Sequence, residues 1–184
     1  MPDSPKPQRR TLYVLLIVFF LPLAASFLLY YRGWRPAGGT NHGELLKPIR
    51  QLPAEAQSLK GKWALVYFGE GACEQACRNA LYIGRQTHLL LNKDIDRMNR
   101  VLLAGEGCCD RAFLDAEHPG ITVLEAGTPA AHDAWRAALP AGDHANDLFV
   151  VDPMLNVVLR FDARENPKGL LDDLKKLLKL SHIG

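Results

Sequence analysis

An α/β sandwich behind one membrane-spanning helix is the architecture this sequence predicts, on three observations. Residues 11–31 carry no charged side chain. The run Trp63-Ala-Leu-Val-Tyr-Phe68 is apolar almost throughout, as a strand covered on both faces requires. Beyond it, hydrophobic periodicity gives the order strand, helix, strand, helix, β-hairpin, helix.

The elements follow in chain order. Residues 1–10 form a polar, proline-containing tail in which Lys6, Arg9 and Arg10 precede the apolar stretch. Thr11–Tyr31 supplies 21 uncharged residues, enough to cross a bilayer as a helix. Pro22 is tolerable within such a helix, and Tyr30, Tyr31 and Trp34 suit an interfacial aromatic belt. The rival is a cleaved signal peptide with Ala24-Ala25-Ser26 as its processing site. Apolar residues continue past that site to Tyr31, which favours an uncleaved anchor. Residues 32–60, with Gly33, Pro36, Gly38, Gly39, Gly43, Pro48 and Pro53, read as a tether with room for one short strand.

The folded domain is expected over 61–184, opening at Gly61-Lys62 before the Trp63–Phe68 strand. A helix from Cys73 to about Asn92 would bury Leu81, Leu89 and Leu90, and Arg100–Ala104 is a second strand. Thr128-Pro129 pairs a cap with a proline at the first helical position, starting a helix to Leu139. Leu148–Val151 and Val157–Phe161 flank a turn from Asp152-Pro153 to Asn156, a hairpin pattern. After Pro167, Leu170, Leu171, Leu174, Leu177 and Leu178 share one helix face, with Asp172, Lys175, Lys176 and Lys179 elsewhere. Two parallel strands joined by a crossover helix and followed by a hairpin make a thioredoxin-like three-layer α/β sandwich.

Charge narrows the function. The chain has 22 basic and 20 acidic residues; residues 1–10 take three basic and one acidic, leaving 19 of each after them. There is no basic field for nucleic acid. Basic residues ahead of the span place the N-terminus in the cytoplasm; Arg32 and Arg35 beyond it do not prevent translocation of a long folded domain. All four cysteines lie in the far-side domain, which fits an oxidising or metal-handling compartment outside the inner membrane.

The chemistry is expected at Cys73 and Cys77. Cys73 falls at a helix N-terminus, where unpaired N–H groups and the macrodipole favour a thiolate. Cys77 is four residues on, on the same face. Such a pair can close a disulfide or grip a soft metal ion. Standard thioredoxins use C-x2-C with a proline directly before the third strand. Here the spacing is C-x3-C, and Gly142 to Asp147, before Leu148, contain no proline, Pro140 lying further upstream. His144 stands in the loop that folds over the thiols. Two cysteines and a histidine form a three-coordinate set suited to copper, with Asp143 or Asp147 available to orient the ring.

Cys108-Cys109 ends the second strand at the same end of the sheet. A disulfide between the two neighbours closes a strained ring and is the minority expectation; the pair reads instead as two ordinary small residues, as thiols that exchange with Cys73 or Cys77, or as an extension of a thiol-rich copper site. His42, His88, His118, His132 and His182 read as solvated or structural, Trp135 as packing, and Lys175, Lys176 and Lys179 as a solvated face.

On Gly61-Lys62-Trp63, Tyr67-Phe68-Gly69, Cys73 with Cys77, Asp143-His144 and Asp152-Pro153, the chain resembles the Sco/SenC/PrrC family. These are membrane-anchored, thioredoxin-fold proteins of cytochrome c oxidase assembly. The resemblance implies one copper ion on Cys73, Cys77 and His144, delivered to the copper-containing oxidase subunit. It further implies an inner (cytoplasmic) membrane anchor with the domain on the periplasmic side. It covers the domain from Gly61 and the anchor. The chain departs from the family where Glu74 and Arg78 replace prolines after the motif cysteines. It departs again where Gly105 to Asp110 replaces an acidic segment, which marks a divergent member. Two rival functions remain open. In one, Cys73 and Cys77 are catalytic in a thiol–disulfide oxidoreductase acting on oxidase or other extracytoplasmic cysteines. In the other, the chain is a non-catalytic assembly scaffold.

Overall fold

A computed structural model describes residues 9–32, 41–181 and 183. The tail 1–8, residues 33–40 of the expected tether with Trp34, and His182 lie outside the described residues. The chain divides into two compact units, 1–39 and 40–184.

The first unit contains helix α1 (Arg9–Tyr31), with Pro22 inside it. Its segment Thr11–Tyr31 has 21 residues, a mean hydropathy of 2.7 and no buried residue. At 1.5 Å per residue it is about 32 Å long, close to the hydrocarbon thickness of a bilayer. By length and composition it can cross a membrane.

The second unit is a six-stranded mixed sheet in the order β1-β6-β5-β2-β3-β4. Its strands are β1 (Glu44–Gln51), β2 (Trp63–Gly69), β3 (Met98–Ala104), β4 (Thr122–Glu125), β5 (Asp147–Val151) and β6 (Asn156–Asp162). β2, β3 and β4 run parallel, while β5 and β6 form the antiparallel hairpin. The helices are α2 (Gln75–Leu89), α3 (Arg111–Glu117), α4 (Pro129–Ala137) and α5 (Pro167–Leu180). The fold is the thioredoxin-like sandwich expected.

Strand alternation divides the core in two. Leu65, Tyr67, Leu102, Leu148 and Val150 point to the layer of α2, α3 and α5. Ala64, Val66, Phe68, Leu103 and Phe149 point to the other, where they meet Trp135 of α4 and Leu139 just after it. Trp135 is 1 % exposed, the packing role expected of it.

Several boundaries differ from the sequence reading. Residues 44–59, read as tether, carry β1 and a 3-10 turn (Ala54–Leu59) that buries Ala56 and Leu59. β1 is an exposed edge strand, where Pro48 costs no ladder bond a central strand would need. Helix α2 ends at Leu89, so Leu89 and Leu90 are exposed and Leu91 takes the buried place. The chain turns there through Asn92, at φ 53°, into a 3-10 turn. Short α3 and β4 carried too few periods to be read from sequence.

A buried carboxylate fastens the start of the unit. Asp173, on the inner face of α5, accepts hydrogen bonds from the backbone N–H groups of His42 (2.8 Å) and Gly43 (2.8 Å). A Cβ at Gly169 would stand 2.8 Å from that of His42, so only glycine lets the two segments approach this closely.

Candidate thiol centre

Parallel pairing of β2 with β3 sets the site. Gly69 and Ala104 are partners at the C-terminal ends, so both following loops leave the same end of the sheet side by side. The loops are stitched together: Gly105 N–H donates to Gly69 O (2.8 Å), and Gly71 N–H to Glu106 O (3.0 Å). The first loop carries Cys73 to α2; the second carries Cys108 and Cys109 to α3. Asp110 caps α3 by accepting from Ala112 N–H at 3.0 Å.

Cys73 is bonded to Cys77, and Cys108 to Cys109. Cys77 lies in the first turn of α2 and is 7 % exposed, while Cys73, Cys108 and Cys109 are half-buried. The sulfurs of Cys73, Cys77 and Cys109 all lie within 4.8 Å of one another. A Cβ at Gly69 would meet the Cys108 sulfur at 2.6 Å, so the bare glycine makes room for the second pair against the first loop. Arg78 supplies positive charge beside them. Its guanidinium lies over the Phe113 ring (4.2 Å) and its Nε donates to Cys73 O (3.1 Å). A cation and a helix N-terminus both favour the thiolate form once the disulfides are reduced.

His144 is at the same end of the sheet, because β5 runs antiparallel to β2 and its preceding loop arrives beside β2's C-terminus. Its ring is turned to the opposite face. Nδ1 lies 2.8 Å from Asp147 Oδ2, Nε2 lies 2.8 Å from Pro140 O, and the ring packs edge-on against Phe149. Asp147 is buried and also meets Arg160 Nε at 3.3 Å. Asp143 caps the loop through Ala145 N–H (3.0 Å). Of the three residues expected to meet, the structure therefore gathers Cys73 and Cys77 and leaves His144 on its own loop. The third sulfur, Cys109, belongs to the pair that the sequence offered as an extension of a thiol-rich copper site at this end of the sheet, and parallel β2 and β3 bring it to the motif cysteines.

Beside His144 lies a cavity of about 420 Å³ lined by Tyr67, Phe68, Glu70, Arg136, Pro140 and His144. Tyr67 donates to Ala145 O (3.0 Å). Burial, with Asp143 and Asp147 nearby, pushes its hydroxyl pKa up to about 12. Tyr67 thus stays a neutral donor that holds the histidine loop. Three other histidines take structural places: His88 Nε2 contacts Met98 O (2.8 Å), His132 pairs with Glu70 (3.1 Å), and His118 is buried.

Comparison with known proteins agrees with this architecture. Residues 63–181 match the family model described as transmembrane-like, thioredoxin-like, C-terminal domain. Among solved structures, yeast Sco1 superposes with a TM-score of 0.60 at 18 % identity, over 74 % of this chain and 98 % of that one. Apo Sco1 from Thermus thermophilus gives 0.57 at 19 % identity, over 78 % and 98 %. Arabidopsis thaliana ScoI with copper bound gives 0.55 at 16 %, over 68 % and 89 %. At these identities the likeness is one of fold. No curated protein matches the chain by sequence.

Proposed function

The chain belongs to the transmembrane-like, thioredoxin-like, C-terminal domain family, and from that premise we propose that it is a membrane-anchored copper-binding assembly factor for cytochrome c oxidase. The observation that carries this reading is the C-x3-C pair at the start of α2, its sulfurs gathered with that of Cys109 at one end of the sheet. Sulfur-rich sites select soft metal ions, copper among them. The Arabidopsis, yeast and Bradyrhizobium japonicum structures of the same fold that hold copper support the choice of metal.

In this proposal Cys73 and Cys77, once reduced, hold one copper ion as thiolates, and His144 completes the set. Asp147 keeps His144 Nδ1 engaged, the usual arrangement of a ligating imidazole, and leaves Nε2 as the donor. To serve as a ligand, Nε2 would have to give up its contact with Pro140 O, since the ring faces away from the sulfurs in this structure. Helix α1 anchors the chain in the inner membrane, with the domain on the periplasmic side. The partner is the copper-containing oxidase subunit, which takes the ion as cargo.

The test is copper stoichiometry on the reduced full-length protein in detergent. About one copper per chain is expected, lost in Cys73→Ser and weakened in His144→Ala. Wild-type protein that retains no copper overturns the reading.

A second reading rests on the Cys73–Cys77 disulfide at a helix N-terminus, the place of the redox pair in a thioredoxin-like fold. There the pair cycles between dithiol and disulfide on extracytoplasmic cysteines. It predicts reversible reduction of Cys73–Cys77 in the folded protein and activity that survives His144→Ala.

A further inference from the structure

Four cysteines converge here, and either reading of the function uses only two. We propose that Cys109 links the two pairs, so that Cys108/Cys109 and Cys73/Cys77 exchange a disulfide within one chain.

Three observations carry this. The Cys109 sulfur lies within 4.8 Å of both motif sulfurs, although 32 residues separate it from Cys77. The approach is built into the fold: parallel β2 and β3 deliver both loops to one place. The two hydrogen bonds from Gly105 and Gly71 hold the loops together, and Gly69 leaves space for Cys108. Exposure also differs between the sulfurs. Cys77 is buried, whereas Cys73 and Cys109 are half-buried, so thiols from outside reach the cluster at Cys73 or at the vicinal pair.

Both pairs are disulfides in the structure, so an external dithiol first reduces Cys108–Cys109; the exchange then starts from the Cys73–Cys77 disulfide and the Cys108/Cys109 dithiol and needs no further oxidant or reductant. The Cys109 thiolate attacks the Cys73 sulfur, the Cys109–Cys73 bond forms, the Cys73–Cys77 bond breaks, and Cys77 leaves as a thiolate that takes up a proton. The Cys108 thiolate then attacks the Cys109 sulfur. The Cys108–Cys109 bond forms, the Cys109–Cys73 bond breaks, and Cys73 leaves as a thiolate. Two electrons have passed from the vicinal dithiol to the motif disulfide, and two protons follow them. Arg78, bonded to Cys73 O and stacked on Phe113, stabilises the thiolates formed on the way. The vicinal pair thus stores the two electrons that return Cys73 and Cys77 to the dithiol state. The exchange is a property of the four thiols and holds whether the reduced pair then takes a metal ion or a substrate disulfide.

Trapping the mixed disulfide tests the idea. In full-length Cys77→Ser/Cys108→Ser protein, Cys73 and Cys109 are the remaining thiols. Mild oxidation by oxidised glutathione should join them within one chain, read by non-reducing peptide mass mapping. Folded double variant that keeps both thiols free, or that forms only links between chains, overturns the proposal. Should the double variant fail to fold, Cys108→Ser alone decides. Its single free thiol should then be found on Cys73 or Cys77 in a fraction of chains, with Cys109 in disulfide linkage. A Cys73–Cys77 bond in every chain overturns the proposal. Neither outcome depends on whether copper binds.

Discussion

Two regions at one end of the sheet behave differently. The thiol loops after β2 and β3 bring three sulfurs together on the α2 face. The loop before β5 arrives at the same end, yet its histidine packs on Phe149 across the sheet and spends both ring nitrogens on Asp147 and Pro140. Adjacency at a sheet end is set by strand direction; the face a side chain takes is set by its packing partners. The sulfurs gather because their loops are stitched through backbone hydrogen bonds. The histidine stays apart because a buried carboxylate and a carbonyl hold it.

The largest expected effect breaks the comparison at its thiol side. Cys73→Ser should abolish copper retention by the reduced protein, measured by metal analysis after desalting. Retention in that variant would show that Cys73 is not needed to hold the metal. Next, Asp147→Ala should cost about 1–3 kcal/mol in chemical denaturation of the metal-free protein, because it removes the buried carboxylate that half-buried His144 and Arg160 both meet. It should also lower copper affinity roughly 10–100-fold if His144 is a ligand, as loss of an orienting partner does. Comparing His144→Ala with Cys109→Ser in competition titrations sharpens this further. A greater loss on His144→Ala identifies an imidazole third ligand; a greater loss on Cys109→Ser makes the site all sulfur and leaves the histidine loop structural.

Acid should act on the thiol side. Burial, then Arg100 and Arg85, lowers the pKa of His118 beside α3, and burial chiefly lowers that of His88 on α2. Both bind protons more readily unfolded. Their neutral-state stabilisation is therefore full above the unfolded value near 6.5 and is lost as pH falls below it. Stability followed by denaturation from pH 7.5 to 5 should fall, and His118→Phe should flatten the slope. The smallest effect belongs to Arg78→Ala. Loss of its exposed stacking on Phe113 should cost about 0.5–1 kcal/mol in the same assay.

Much of the fold was legible. Uninterrupted apolar runs gave β2 and β5, Thr128-Pro129 gave the start of α4, and the leucine stripe gave α5, because each rests on local pattern. The tether left room for a short strand but not its place, because β1 is an exposed edge strand with a proline and little buried face to pattern. The site was legible as to its motif cysteines, whose spacing is local. Cys109 depends on which strand neighbours which, and His144 on which face its loop presents. Both are tertiary facts with no periodic trace in the chain.

The Asp173 clamp has a practical side. A soluble fragment cut at Gly61, where sequence alone would start the domain, removes His42 and Gly43 and strands a carboxylate that is 3 % exposed. It also removes β1 and leaves β6 as a bare sheet edge, open to pairing with another copy. Such a fragment should aggregate where one beginning at residue 41 stays monodisperse, so the first twenty residues after the anchor's connector decide whether the domain can be handled in isolation.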